Sequence, residues 1–152
     1  MNLEHKKDLI VFSLQNFGES ARTNQVISNL AKNRHVYFFQ TPIVGDSDSA
    51  TYQLHKEQDD AIVIQPYLPR DLSVFEQKDV LNEIIHDVMV EEHIDHYSIW
   101  TDTPKAMPFI RNLAPEFLIY DCLKDYSFSN PELENEMFGR ADVVISSGML
   151  TH

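Results

Sequence analysis

At 152 residues, 43% hydrophobic and 24% charged, the chain has the size and composition of a single globular domain with a real core. Its 24 acidic and 12 basic residues give a net charge of −12, which disfavours nonspecific binding to nucleic acid or anionic lipid, and the pair Lys6-Lys7 is too small to count as a basic patch. One cysteine, Cys122, allows no intrachain disulfide and fits a reducing cytosol, and the first apolar run is too short for a signal peptide or a membrane span.

Leu9–Leu14 (LIVFSL) is a continuous apolar run, as expected of a central parallel strand. Gln15–Ala21 is a polar loop with Gly18, and Ser20 is placed to cap a helix carrying Val26, Ile27, Leu30 and Ala31. Asn33-Arg34 closes that helix, and His35–Gln40 forms a second strand. We take Thr41–Asp60, with Pro42, Gly45 and the polar DSDS run, as a long loop, a short strand within it being the alternative. Ala61–Gln65 is a third strand, broken by Pro66 and Pro69. Ser73 and Glu76 have capping-box spacing, and Val80, Leu81, Ile84, Ile85, Val88 and Met89 form the apolar stripe of the longest helix. Tyr97–Trp100 is a fourth strand. Thr103-Pro104 opens a short helix through Met107, Ile110 and Leu113, stopped by Pro115. Phe117–Tyr120 is a fifth strand. Asn130-Pro131 starts a helix with Glu132, Glu134 and Glu136 near its positive end and Leu133, Met137 and Phe138 on its core face. Val143–Ser146 is a sixth strand.

Strands alternating with helices predict a three-layer α/β domain with about six mostly parallel strands and helices on both faces. The whole chain, 1–152, reads as one such domain with no internal repeat, low-complexity tract or linker. Its closing residues, Ser146 to His152, read as a strand, its turn and the start of another helix, so the expectation is the front part of a longer chain.

The most informative stretch is Glu116–Ser147. Two apolar strands there end in small or polar residues, Asp121-Cys122-Leu123-Lys124-Asp125 and Ser146-Ser147-Gly148. Such residues stand at the carboxyl ends of strands, where open α/β sheets bind ligands. The segment IYDCLKDYS is similar to one found in a bacterial branch of the family 4 glycosyltransferases that makes polysaccharide and cell-surface glycans, matching at Tyr120, Asp121, Cys122 and Asp125. LIVFSLQNFGESARTNQVISNLAKNRHVYFFQTP resembles the opening of that branch. Arg22 and Gln25 match the spacing of its first helix, and Gln40 stands where the branch usually has an acidic residue. RADVVISSG resembles the segment before the final helix of the N-terminal domain.

The resemblance spans the whole chain and implies the N-terminal half of a GT-B fold, a Rossmann-like domain on the acceptor side of an interdomain cleft. It implies a hexosyltransferase-type enzyme moving a sugar from a nucleotide-sugar donor to a glycan or lipid-linked acceptor. The donor would be held by a C-terminal domain, none of whose motifs occurs in this chain. No cofactor or metal is implied, because GT-B enzymes stabilise the leaving diphosphate with protein groups and helix dipoles. A cytoplasmic protein is implied, with peripheral contact at the inner face of the membrane left open.

If the transfer inverts, a base must take the acceptor proton, and Asp125 and Asp121 are the candidates; Asp121, directly after its strand, equally suits a turn cap. A retaining enzyme needs no such base, and the two acids would orient the acceptor. The loop after the first strand holds neither G-x-G-x-x-G nor a Walker motif. It offers Asn16, Gly18, Ser20 and Arg22 for acceptor or diphosphate contact, or is an ordinary capped β-α turn. Gln25 and Asp102 complete the substrate-binding set. Cys122 has no base paired with it and is read as a packing residue. His86, His93 and His96 lack any metal-ligand motif and are read as surface groups. Trp100 and Phe109 line either an acceptor pocket or the core; Phe12, Tyr37, Phe38 and Phe39 are packing residues. The rival to an enzyme half is a noncatalytic binding or assembly module, which would cover its exposed sheet edge with a second copy or a partner.

Overall fold

A computed structural model describes residues 8–13, 15–31, 34–57, 61–122 and 130–146. Its elements are β1 (Asp8–Phe12), α1 (Ala21–Ala31), β2 (Val36–Phe39), β3 (Ile43–Ser47), β4 (Thr51–Lys56), β5 (Ile62–Pro69), α2 (Val74–Glu91), β6 (Tyr97–Thr101), α3 (Met107–Ile110), β7 (Leu118–Cys122), α4 (Pro131–Arg140) and β8 (Val143–Ser146). A 3-10 turn, Pro104–Ala106, leads into α3. The sheet runs β5-β2-β1-β6-β7-β8, with β3 and β4 both joined to β5. Among the described residues only the β4–β5 pairing is antiparallel. With β3 and β4 set aside, this is the 3-2-1-4-5-6 order of a doubly wound sheet, whose order reverses between β1 and β6.

The layers follow from the two-residue period of the strands. Leu9, Val11, Val36, Phe38, Val63 and Trp100 project to one face and pack with Ile27 of α1. Ile10, Phe12, Tyr37, Phe39, Ile64, Ile99, Leu118 and Tyr120 project to the other. There they meet Leu81, Ile84, Ile85 and Val88 of α2, Met107 and Ile110 of α3, and Met137 of α4. Both faces of the central strands are therefore apolar, which is why LIVFSL shows no alternation. Each large side chain so buried contributes about 1.5–3 kcal/mol.

The expected six-strand sheet has eight strands, because Thr41–Asp60 holds two. Tyr67 of β5 lies opposite both Ile43 and Thr51, and Ile62 lies opposite both Tyr37 and Lys56. Hence β4 occupies one edge of β5, and β2 followed by β3 occupies the other. Pro66 and Pro69, expected to end the strand, lie within β5. Pro66 falls between Ile64, the last partner of β2, and Tyr67, the first partner of β3, so its missing N–H coincides with a gap in the ladder. The β7 strand runs two residues further than expected and includes Asp121 and Cys122.

The α2 helix starts with the predicted capping box, Ser73 and Glu76 bonding reciprocally. It ends in a Schellman motif. The Ile94 N–H donates to the Met89 carbonyl at 2.9 Å and the His93 N–H to that of Val90 at 3.3 Å. His93 takes the left-handed position at φ 56° that glycine usually fills.

Candidate functional site

The carboxyl ends of β1 and β6 lie side by side at the point where the strand order reverses. Two polar links join them. Thr101 Oγ1 donates to the Phe12 carbonyl at 2.7 Å, and Ser13 Oγ donates to Asp102 Oδ2 at 3.1 Å. Ser13 and Asp102 are both 3% exposed, so a buried polar pair stands at the carboxyl edge where doubly wound sheets hold their ligands.

The β1–α1 loop is fixed from two sides. Gly18 sits at φ 93°, a conformation closed to most side chains, and the turn is held by Glu19, whose carboxylate accepts from the Asn16 N–H at 2.9 Å. On the other side the Phe17 N–H donates to Gln40 Oε1 at 2.9 Å, and Gln40 Nε2 donates to Gln65 Oε1 at 2.7 Å. Gln65 Nε2 then donates to the carbonyls of Thr41 and Pro66. This glutamine relay ties the loop to the irregular junction between β2 and β3. The Phe17 ring stands edge-on to Phe38 at 5.3 Å. Ser20 caps α1 as expected, its Oγ accepting from the Thr23 N–H at 3.2 Å.

The principal charge pair joins α1 to β7. Arg22 Nε donates to Asp121 Oδ2 at 2.8 Å, and Nη2 donates to Oδ1 at 2.9 Å. The Asp121 side chain is 0% exposed and that of Arg22 is 39% exposed. A buried carboxylate is costly unless paired and hydrogen-bonded, and the planar guanidinium fork supplies both. The same hydrogen bond raises the pKa of Arg22 above its ordinary value.

Of the residues expected to form a site, the fold brings Arg22 to Asp121 and places Asn16, Gly18, Ser20 and Asp102 at the same carboxyl edge. Gln25, one turn after Arg22, is exposed. Asp125 lies outside the described residues. Trp100 and Phe109 are buried in the two cores. His93 is occupied in closing α2, and among the described residues no three His, Cys, Asp or Glu side chains gather to hold a metal. Sequence reasoning missed Ser13, Gln40 and Gln65 as structural partners of the site. Applying the strand-end rule to β1, β2 and β5, and not only to β6 and β7, would have found all three.

No protein-family model and no curated protein matches the sequence. Solved structures match in fold. One, described as trehalose-6-phosphate from E. coli bound with UDP-2-fluoro glucose, aligns with a TM-score of 0.54 at 11% identity over 91% of this chain. An α,α-trehalose-phosphate synthase (UDP-forming) from Burkholderia xenovorans in complex with glucose-6-phosphate aligns with a TM-score of 0.56, also at 11% identity and over 91% of this chain. The chain spans 39% of the length of each. At that identity the likeness is one of fold: an α/β domain with a mostly parallel sheet, resembling the Rossmann-like domain of a GT-B glycosyltransferase. Among the described residues no helix is long and apolar enough to cross a membrane.

Proposed function

We propose that this chain is the acceptor-binding N-terminal domain of a family 4 glycosyltransferase that moves a sugar from a nucleotide-sugar donor to a glycan or lipid-linked acceptor. The observation that carries the reading is the polar construction at the β1/β6 switch point, Ser13 bonded to Asp102 with Arg22 and Asp121 beside it, on a sheet of GT-B type. The match of IYDCLKDYS and of Arg22 and Gln25 to the bacterial branch supports the family and the class of acceptor. In this reading a C-terminal domain supplies the donor site, Asp125 is the candidate base, and Asn16, Gly18, Ser20, Gln25 and Asp102 border the acceptor.

The test uses the protein from its complete reading frame, a panel of nucleotide sugars, and oligosaccharide or lipid-linked acceptors. Acceptor-dependent release of nucleoside diphosphate is expected, with Asp125→Asn slowing an inverting transfer by about 10²–10⁴-fold. Failure to bind or consume any nucleotide sugar would overturn the reading. One observation favours the alternative of a binding or oligomerisation module. Among the described residues β8 ends the sheet, and it leaves Val143, Val144 and Ile145 at 44%, 44% and 38% exposure, an apolar edge of the kind proteins cover. Concentration-dependent dimerisation without sugar-nucleotide binding would select that alternative.

A further inference from the structure

Arg22 is at once fixed and open. Its bonds to Asp121 use Nε and Nη2, one edge of a planar group that carries five N–H donors. The remaining donors lie along the other edge, on a side chain that is 39% exposed although its partner is wholly buried. A guanidinium held in this way needs little further ordering to bind, and its fork matches the paired oxygens of a phosphate or carboxylate.

Location adds to this. Arg22 stands in the first turn of α1, where the helix dipole favours an anion, and links the element that follows β1 to Asp121 of β7, on the other side of the β1/β6 switch point. Carboxylates are also present at this end of the molecule. Asp121 is spent on Arg22, Asp102 accepts from Ser13, and Glu19 accepts from the Asn16 backbone and side chain. Over a protein of net charge −12, with Asp121 offsetting its charge, Arg22 offers an anionic ligand directed N–H donors more than net positive charge.

We infer that Arg22 binds an anionic group, phosphate or carboxylate, on the acceptor, and that Asp121 is the positioning residue that aims it. This inference rests on the glycosyltransferase reading and deepens it: the acceptor is charged, and Asp121 is assigned to holding Arg22 and not to proton transfer.

The site is tested apart from turnover, by titrating the protein with inorganic phosphate and following the Arg22 Nε–H resonance by NMR. Saturable movement of that resonance is expected. Affinity should fall by roughly ten- to a hundredfold in Arg22→Gln, the range corresponding to loss of a charge-assisted hydrogen bond. Arg22→Lys, which keeps the charge and loses the fork, should fall between the two. In Asp121→Asn, judged folded by circular dichroism, phosphate should bind more weakly and the Arg22 resonance should shift even without ligand. Arg111→Gln, on the distant α3–α4 surface, should leave binding unchanged.

A still Arg22 resonance overturns the proposal, and so does unchanged or stronger phosphate binding in Asp121→Asn, where removal of the neighbouring negative charge by itself favours the anion. The source of the anion is read by competition. Displacement of phosphate by a hexose phosphate supports the acceptor assignment. Displacement by UDP but not by hexose phosphate overturns it in favour of the donor diphosphate. Nucleotide-sugar consumption is measured on the same protein, so failure of the wider reading is seen separately.

Discussion

Among the described residues, two arginines each clasp a carboxylate with two hydrogen bonds, and the two clasps share a geometry but not an environment. Arg22 grips Asp121 with two bonds of 2.8 and 2.9 Å; Arg111 grips Glu136 with two of 2.8 and 2.6 Å. In the first the acid is sealed inside β7 and the arginine reaches solvent; in the second both partners are on the surface between α3 and α4. Bond lengths alone would rank them as equals. The dielectric around the acid separates them, because a carboxylate kept from water depends on its partner and a wet one does not.

The largest effect should come from breaking the buried clasp at its exposed end. Arg22→Met leaves the Asp121 carboxylate buried and unpaired, and should cost about 3–5 kcal/mol in chemical denaturation. Asp121→Asn should cost less, since the freed guanidinium can turn to water. Replacing both, Arg22→Met with Asp121→Leu, should recover much of the loss. Equal costs for the two single variants would mean that Asp121 is hydrated in solution and the contrast is false.

The surface clasp should respond weakly and to different variables. Arg111→Ala should cost about 0–1 kcal/mol, and high salt should erase much of that cost while leaving the Arg22 effect in place. The hydrogen bond from Arg111, with the charges of Arg111 and Arg140, lowers the pKa of Glu136 below the ordinary carboxylate value. The folded state therefore holds that proton less tightly than the unfolded chain. The contribution is complete above the ordinary carboxylate pKa and is lost as pH falls through the lowered one. Denaturation of wild type and Glu136→Gln across that acid range should show their difference shrinking; a difference that persists in strong acid would assign it to packing.

What could be read from the sequence follows the same division between local and distant causes. The strands β1, β2, β6 and β8 and the helices α1 and α2 were legible because apolar runs and caps lie within a few residues of one another. The strands β3 and β4 were not: IVGDS is interrupted by Gly45 and an acid, and TYQLHK, although Tyr52 and Leu54 alternate with polar residues, is short and set in a polar stretch, and it proves nearly all exposed. The fold supplies their reason, a parallel continuation of β2 and an antiparallel partner for β5. The expected set contained Arg22 and Asp121 separately, yet they stand 99 positions apart in sequence and nothing local announces their bond. Gln40 shows the reverse case. Its departure from the acidic residue of the resembling branch was visible, but its link to Gln65 and Phe17 needed the sheet to be closed.

The smallest effect sharpens the comparison most cheaply. Thr23, next to Arg22, is 2% exposed, and its Oγ1 is buried with no hydrogen-bond partner among the described residues. It is therefore a buried polar atom without the compensation that Asp121 receives. A neutral hydroxyl costs far less to bury than a carboxylate, and Thr23→Val removes it at nearly constant shape. Thr23→Val should be neutral or stabilising, within about 1–3 kcal/mol, the usual cost of an unmet polar group. Clear destabilisation, measured by the same denaturation, would show that the hydroxyl is bonded in solution. The first turn of α1 would then hold a second polar anchor beside Arg22, and the two clasps would differ in more than the burial of one acid.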